Sequence, residues 1–191
     1  METIERQAIE TQVTQPNVAQ TQAVQTQPEC PTQIQPQKEH AWLQQLVGEW
    51  TYEGECLMEP DQPPMKSMGT ESVRSVGGLW VIGEGQGEMP GGGSATMIIT
   101  LGFDPTKGRF VGTFIGSIMT NLWIYDGRLD AAERVLTLDA DGPSFTDPGV
   151  TAKYRDVVEL VSPDHRVLRS SVLGDGGEWH EFMTAHYRRT R

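Results

Sequence analysis

A chain of 191 residues is long enough for one domain of ordinary size plus a tail. Hydrophobic residues make up 37%, below the usual globular share, and the N-terminal stretch accounts for much of the deficit. A formal net charge of -11 argues against nucleic-acid binding through a basic patch and against attraction to anionic membrane surfaces.

Residues 1–38 are rich in Gln and Thr, with Pro16, Pro28, Pro31 and Pro36 scattered among them. Val13, Val18, Val24 and Ile34 are too sparse to offset the entropy of ordering, so this segment is predicted to be a disordered arm. A partner-binding role for the arm is the lesser reading. The acidic start lacks the apolar core of a secretory signal, and no apolar run approaches the ~20 residues of a membrane helix. Two cysteines, Cys30 and Cys56, carry no motif and read as reduced thiols. A soluble cytoplasmic protein is the expectation.

The folded part, residues 39–191, opens on a short helix. Trp42, Leu43, Leu46 and Val47 recur at helical spacing over Glu39–Val47, and Gly48 suits the left-handed residue that ends a helix. Trp50, Tyr52 and Gly54 then share one face of a strand. Prolines 60, 63 and 64 make a loop. Met68–Val76 alternates, with Thr70, Ser72 and Arg74 on one face and Glu71, Val73 and Ser75 on the other. Gly77–Gly78 turns into a Gly-rich strand that opens at Leu79. A flexible loop at Gly91–Gly93 precedes Ser94–Phe103, where Met97, Ile99, Leu101 and Phe103 share a face. Asp104–Gly108 has turn chemistry and returns as Arg109–Ile115.

Leu122–Leu129 and Arg134–Asp139 follow, then a loop around Phe145, and Lys153–Val161 with Tyr154, Val158 and Leu160 on one face. Arg166–Leu173 and Glu178–Arg188 end the series. About ten short strands joined by tight turns predict an all-β, antiparallel meander. With a single helix to cover a face, closure into an up-and-down β-barrel removes the exposed edges.

The short helix running into Gly48-Glu49-Trp50 resembles lipocalin-like and fatty-acid-binding barrels, where such a Trp plugs the floor. Further blocks are similar, in order, to a bacterial family catalogued as domain of unknown function 1579. They are Trp42–Trp50, Pro64–Ser72, Gly77–Trp80, Thr100–Asp104, Gly108–Phe114 and His180–Tyr187. The resemblance spans about residues 39–188. It implies a lipocalin-like fold and brings no activity with it.

The chemistry-bearing residues point to binding more than to catalysis. His180 and His186 share parity on the last strand, so both can face the lumen, but roughly 20 Å of strand separates them and they cannot share a metal. No other His or Cys supplies a ligand-spaced pair in sequence, so no metal site is expected. A single strand histidine can ligate haem axially, as in small barrels of the nitrobindin type, which makes haem the alternative to the expectation of no cofactor. Gly83-Glu84-Gly85-Gln86-Gly87-Glu88 lacks the Lys-Ser/Thr and helix of a phosphate loop, and its acids repel phosphate. Glycines here fit close approach within a strand. Ser94, Ser144 and Cys56 have no nucleophile motif, and Asp139 and Asp141 read as solvated acids.

Strand arginines Arg74, Arg155 and Arg169 would bind a carboxylate bidentately if one pointed inward. The candidate ligand-binding residues are therefore Trp50, Trp80, Trp123, Arg155, His180 and His186. The expected role is binding a small apolar or amphipathic ligand in the barrel cavity. An enzyme using the same cavity and a filled barrel that self-associates are the alternatives. Leu122–Tyr125, apolar on both faces, hints at a homo-oligomer or loop cover.

Overall fold

The computed structural model describes residues 34–57, 63–88 and 93–191. The arm over residues 1–33 with Cys30, most of the Pro-rich loop and most of the Gly91–Gly93 loop lie outside the described residues.

One helix, α1 (Lys38–Gln44), precedes ten strands: β1 (Gly48–Cys56), β2 (Met65–Val76), β3 (Trp80–Glu88), β4 (Ser94–Asp104), β5 (Arg109–Gly116), β6 (Trp123–Leu129), β7 (Val135–Pro143), β8 (Thr151–Ser162), β9 (His165–Leu173) and β10 (Trp179–Arg189). Each strand pairs antiparallel with its chain neighbour, and β1 pairs with both β2 and β10, so the barrel is closed and up-and-down. Closure leaves no strand with an unpaired edge, which is how a meander with one helix avoids edge association.

Alternation sets the two faces. In β1, Trp50, Tyr52 and Gly54 are buried while Thr51, Glu53 and Glu55 are exposed. The inward set at the helix end is large and apolar. Trp42, Leu43 and Leu46 cap that end and pack with Trp50, Val73, Val81, Leu101, Phe110 and Leu136. Two indole hydrogen bonds fix the cap: Trp42 Nε1 donates to the Glu133 carbonyl at 2.8 Å and Trp50 Nε1 to the Leu46 carbonyl at 2.9 Å. His40 is structural, its Nδ1 accepting from the Gln37 N–H at 2.9 Å while its ring meets Phe103 edge-on.

Gly48 does not cap the helix as its sequence suggests. The helix ends at Gln44, and Gly48 opens β1 with φ +141, where a Cβ would come within 2.6 Å of the Arg191 carbonyl. A close approach between the first strand and the chain's end demands the glycine.

Candidate functional site

Between the apolar floor and the far mouth, the barrel interior turns polar. Arg166 on β9 and Tyr187 on β10 are register partners, and Tyr187 is in turn the partner of Tyr52 on β1. The Arg166 guanidinium stacks on Tyr187 at 4.3 Å and on Trp50 at 4.6 Å. It ion-pairs with Glu71 of β2, the two side chains being 9% and 11% exposed. Arg166 Nε is buried without a hydrogen-bond partner among the described residues. Burial pushes the Arg166 pKa down to about 10, so it remains charged at neutral pH.

A second polar group faces it. Asp156 of β8 accepts from Tyr125 OH at 2.5 Å and from Ser170 Oγ at 2.5 Å. Burial raises the Asp156 pKa from its ordinary value, and the two hydroxyl donors only partly offset that. Burial raises Tyr187 and Tyr125 as well, leaving both phenols neutral.

Glycines make the room. After Val81, the inward residues of β3 are Gly83, Gly85 and Gly87, all in extended backbone. A Cβ at Gly83 would lie 2.8 Å from the Glu71 carboxylate, and one at Gly87 would lie 2.2 Å from Tyr52 OH. The Gly-rich run is thus the stretch of wall against which Glu71 and Tyr52 lie, with Glu84, Gln86 and Glu88 outside in solvent. What remains is a cavity of about 120 Å³ whose lining is mostly apolar, including Met97, Ile99, Phe114 and Leu168, with Arg166, Glu71, Asp156 and three tyrosines as its polar points. A second cavity of about 160 Å³ lies toward the mouth and shares Phe114, Tyr125 and Asp156 with the first. Trp123, Phe145, Tyr154 and Phe182 wall it through edge-on ring contacts.

Of the six residues singled out in sequence, two meet this interior. Trp50, 1% exposed, backs Arg166, and Trp123 lines the upper cavity. Trp80 lies over Gly102 with 41% exposure. Arg155 stacks on Trp179 and pairs with Asp139 at 2.7 Å, away from both cavities. His180 is at the rim beside Glu178. His186 is on the outer face, its Nδ1 3.2 Å from His165 Nε2. The shared parity of His180 and His186 breaks because the register shifts between Glu181 and Met183, making Phe182 an extra residue. The strand then turns Ala185 and Tyr187 inward and His186 outward.

No histidine lines either cavity, so the haem alternative has no axial ligand there. The His165–His186 contact is a pairing across strands that linear spacing did not reveal. No group of three or more potential metal ligands occurs among the described residues.

Sequence reading passed over Glu71, Asp156 and Arg166. A signal was present: each is charged at an inward-parity position, Glu71 with Val73, Asp156 between Tyr154 and Val158, Arg166 with Leu168 and Ser170. Arg166 stood at a predicted strand start, where a solvated charge is the ordinary expectation.

The architecture is shared with a solved structure of low sequence identity. The crystal structure of Rv2717c from M. tuberculosis is similar at 13% identity with a TM-score of 0.54, covering 82% of this chain and all of the other. An S-type phycobiliprotein lyase, CPES from Guillardia theta, aligns at 11% identity and TM-score 0.49, covering 82% of this chain and 99% of that one. A de novo designed fluorescence-activating barrel aligns at 12% and 0.43, covering 78% and 96%. None of the curated proteins matches. No helix among the described residues is long and apolar enough to cross a membrane. A family profile matches residues 35–189, and the chain belongs to that family, described as protein of unknown function DUF1579.

Proposed function

We propose that this barrel binds a small, mainly apolar molecule in its lumen. The observation that carries the reading is Arg166, a buried cation with an unpartnered Nε, lining a cavity that is otherwise largely apolar. Buried polar atoms are nearly always satisfied, and a few convergent polar groups in an apolar pocket are the usual form of a ligand site. The second cavity, walled by Trp123, Phe145 and Phe182, extends the site toward the mouth.

Native mass spectrometry of the purified full chain, followed by extraction of what denaturation releases, tests it. A stoichiometric small molecule, or a thermal shift with apolar compounds, is the expected result. A clean mass with no shift across such a panel overturns the binding reading.

One observation favours a second reading, catalysis in the same cavity. Asp156 is a half-buried carboxyl, raised in pKa by desolvation, lining both cavities. Turnover of the extracted molecule, lost in Asp156→Asn while binding persists, is the result that would favour it.

A further inference from the structure

The charge inventory of the lumen restricts what it can hold. A carboxylate ligand is held best by a cation whose donors are available and whose charge is not already neutralised. Arg166 is the one cation lining the inner cavity among the described residues, and Glu71 already pairs with it. Arg189 is close to the site but does not line the cavity. It stacks on Trp50 at 4.2 Å, with its donors engaged by the carbonyls of Gln45, Val47 and Pro163. A second acid, Asp156, lines the same cavity. The lumen therefore holds one positive group against two carboxyls, and a carboxylate entering it would have to displace Glu71 into an apolar interior.

The remaining hydrogen-bonding capacity includes a donor and an acceptor beside the Tyr52 and Tyr187 hydroxyls. Arg166 Nε offers the donor, and the Asp156 carboxyl, which takes one hydroxyl on each oxygen, keeps acceptor capacity. A hydroxyl group accepts and donates through one atom and matches both. The cavity of about 120 Å³ is close to the scale of about 150 Å³ at which an apolar protein cavity accommodates a single benzene-sized ring.

We infer that the lumen selects a compact, uncharged, hydroxyl-bearing molecule with a ring-sized or short aliphatic body, and rejects the carboxylate of the same skeleton. The inference rests on the binding reading above and adds the ligand's chemical class. The Glu71–Arg166 pair is what sets that class. It turns a cation that would otherwise capture acids into a neutral hydrogen-bonding unit.

Matched probes test it on the full chain. Benzyl alcohol against benzoate, and hexanol against hexanoate, are titrated by calorimetry and by thermal shift at neutral pH. Each alcohol is expected to bind at least about tenfold tighter than its acid. In Glu71→Gln, of nearly the same shape, Arg166 loses its counter-charge, and the acids gain about tenfold or more while the alcohols change little. Wild-type preference for the acids overturns this inference and leaves the binding reading standing. An unchanged acid affinity in Glu71→Gln, with the fold intact by circular dichroism, also overturns it. Absence of binding by all four probes overturns both.

Discussion

The three inward glycines of β3 make a graded prediction. Alanine is placed at Gly83, Gly85 and Gly87 in turn. All three have ordinary extended backbone, so conformational strain is equal and only space differs. At Gly85 a Cβ would meet Met97 Cε at 3.5 Å and the Thr70 carbonyl at 3.7 Å, which is ordinary contact. Alanine there relieves the entropic disadvantage of glycine in a strand, about 0.5–1 kcal/mol. It also buries one methyl, about 0.8 kcal/mol. The expected gain is roughly 1–2 kcal/mol, or about 2–8 °C in Tm for a domain of this size.

At Gly87 the methyl must push Tyr52 OH from 2.2 Å, yet the Tyr52 ring is itself held against Gly69, where a Cβ would sit 2.7 Å from it. At Gly83 it meets the Glu71 carboxylate at 2.8 Å and Ile99 Cγ2 at 3.0 Å, and that carboxylate is pinned by Arg166. Both should lose about 1–3 kcal/mol. Thermal and urea unfolding of the three variants give the order directly. A Tm that falls in Gly85→Ala, or stays level in Gly87→Ala, would refute the assignment of these glycines to the lumen wall. Gly85→Leu then fills the cavity. It should keep the fold and lose ligand binding, read by the same thermal shift panel.

Other variants probe the floor and the polar layer. Trp42→Ala empties a site that is 3% exposed and removes a hydrogen bond to Glu133, so it should lose about 3–5 kcal/mol in urea unfolding. Arg166→Met leaves the Glu71 carboxylate buried without its partner and should lose about 3–5 kcal/mol. The double variant Arg166→Met/Glu71→Leu should recover most of that loss, and a double-mutant cycle by urea unfolding reports the coupling. Asp156 holds its proton in the folded barrel at pH values where the unfolded chain has released it, because its folded pKa is raised. Its contribution to stability is therefore full at acid pH and falls as pH rises through the ordinary carboxylate range to the raised value. Asp156→Asn should match wild type in acid and gain on it toward neutrality, measured as urea midpoints across pH.

The barrel and its strand order were legible because turn chemistry and period-two alternation are local. Asp104–Gly108 and Gly77–Gly78 mark their turns, and β4 places Met97, Ile99 and Leu101 inward as its pattern requires. Leu122–Tyr125 was read as apolar on both faces. Trp123 and Tyr125 do face inward, while Leu122 and Ile124 are 53% and 65% exposed. The site was less legible because it depends on register around a closed ring. His165 and His186 meet only across β9 and β10, and a single extra residue at Phe182 reverses the inference for the last strand. Arg155 was a candidate in sequence and Arg166 was not. Their fates differ by strand parity: Arg155 reaches Asp139 and Trp179 on the outside, whereas Arg166 is held between Trp50 and Tyr187 within.

The polar layer also separates the binding reading from that of a filled, purely structural barrel. A buried ion pair in an apolar interior is often neutral or worse for stability than well-packed hydrophobic residues of similar volume. Gly83, Gly85 and Gly87 forgo side-chain packing along one inner face of β3, and glycine within a strand lowers stability further. A chain selected only to hold a barrel together has the material to avoid both, since β4 fills its inner face with Met97, Ile99 and Leu101, and β5 alternates Phe110 and Phe114 with Gly112 and Gly116. Here the two unfavourable features coincide: the bare strand lies beneath the charged pair, and the cavity lies above them. Stability given up where the glycines, the charged pair and the cavity meet is the pattern expected where a protein keeps a site for something other than itself.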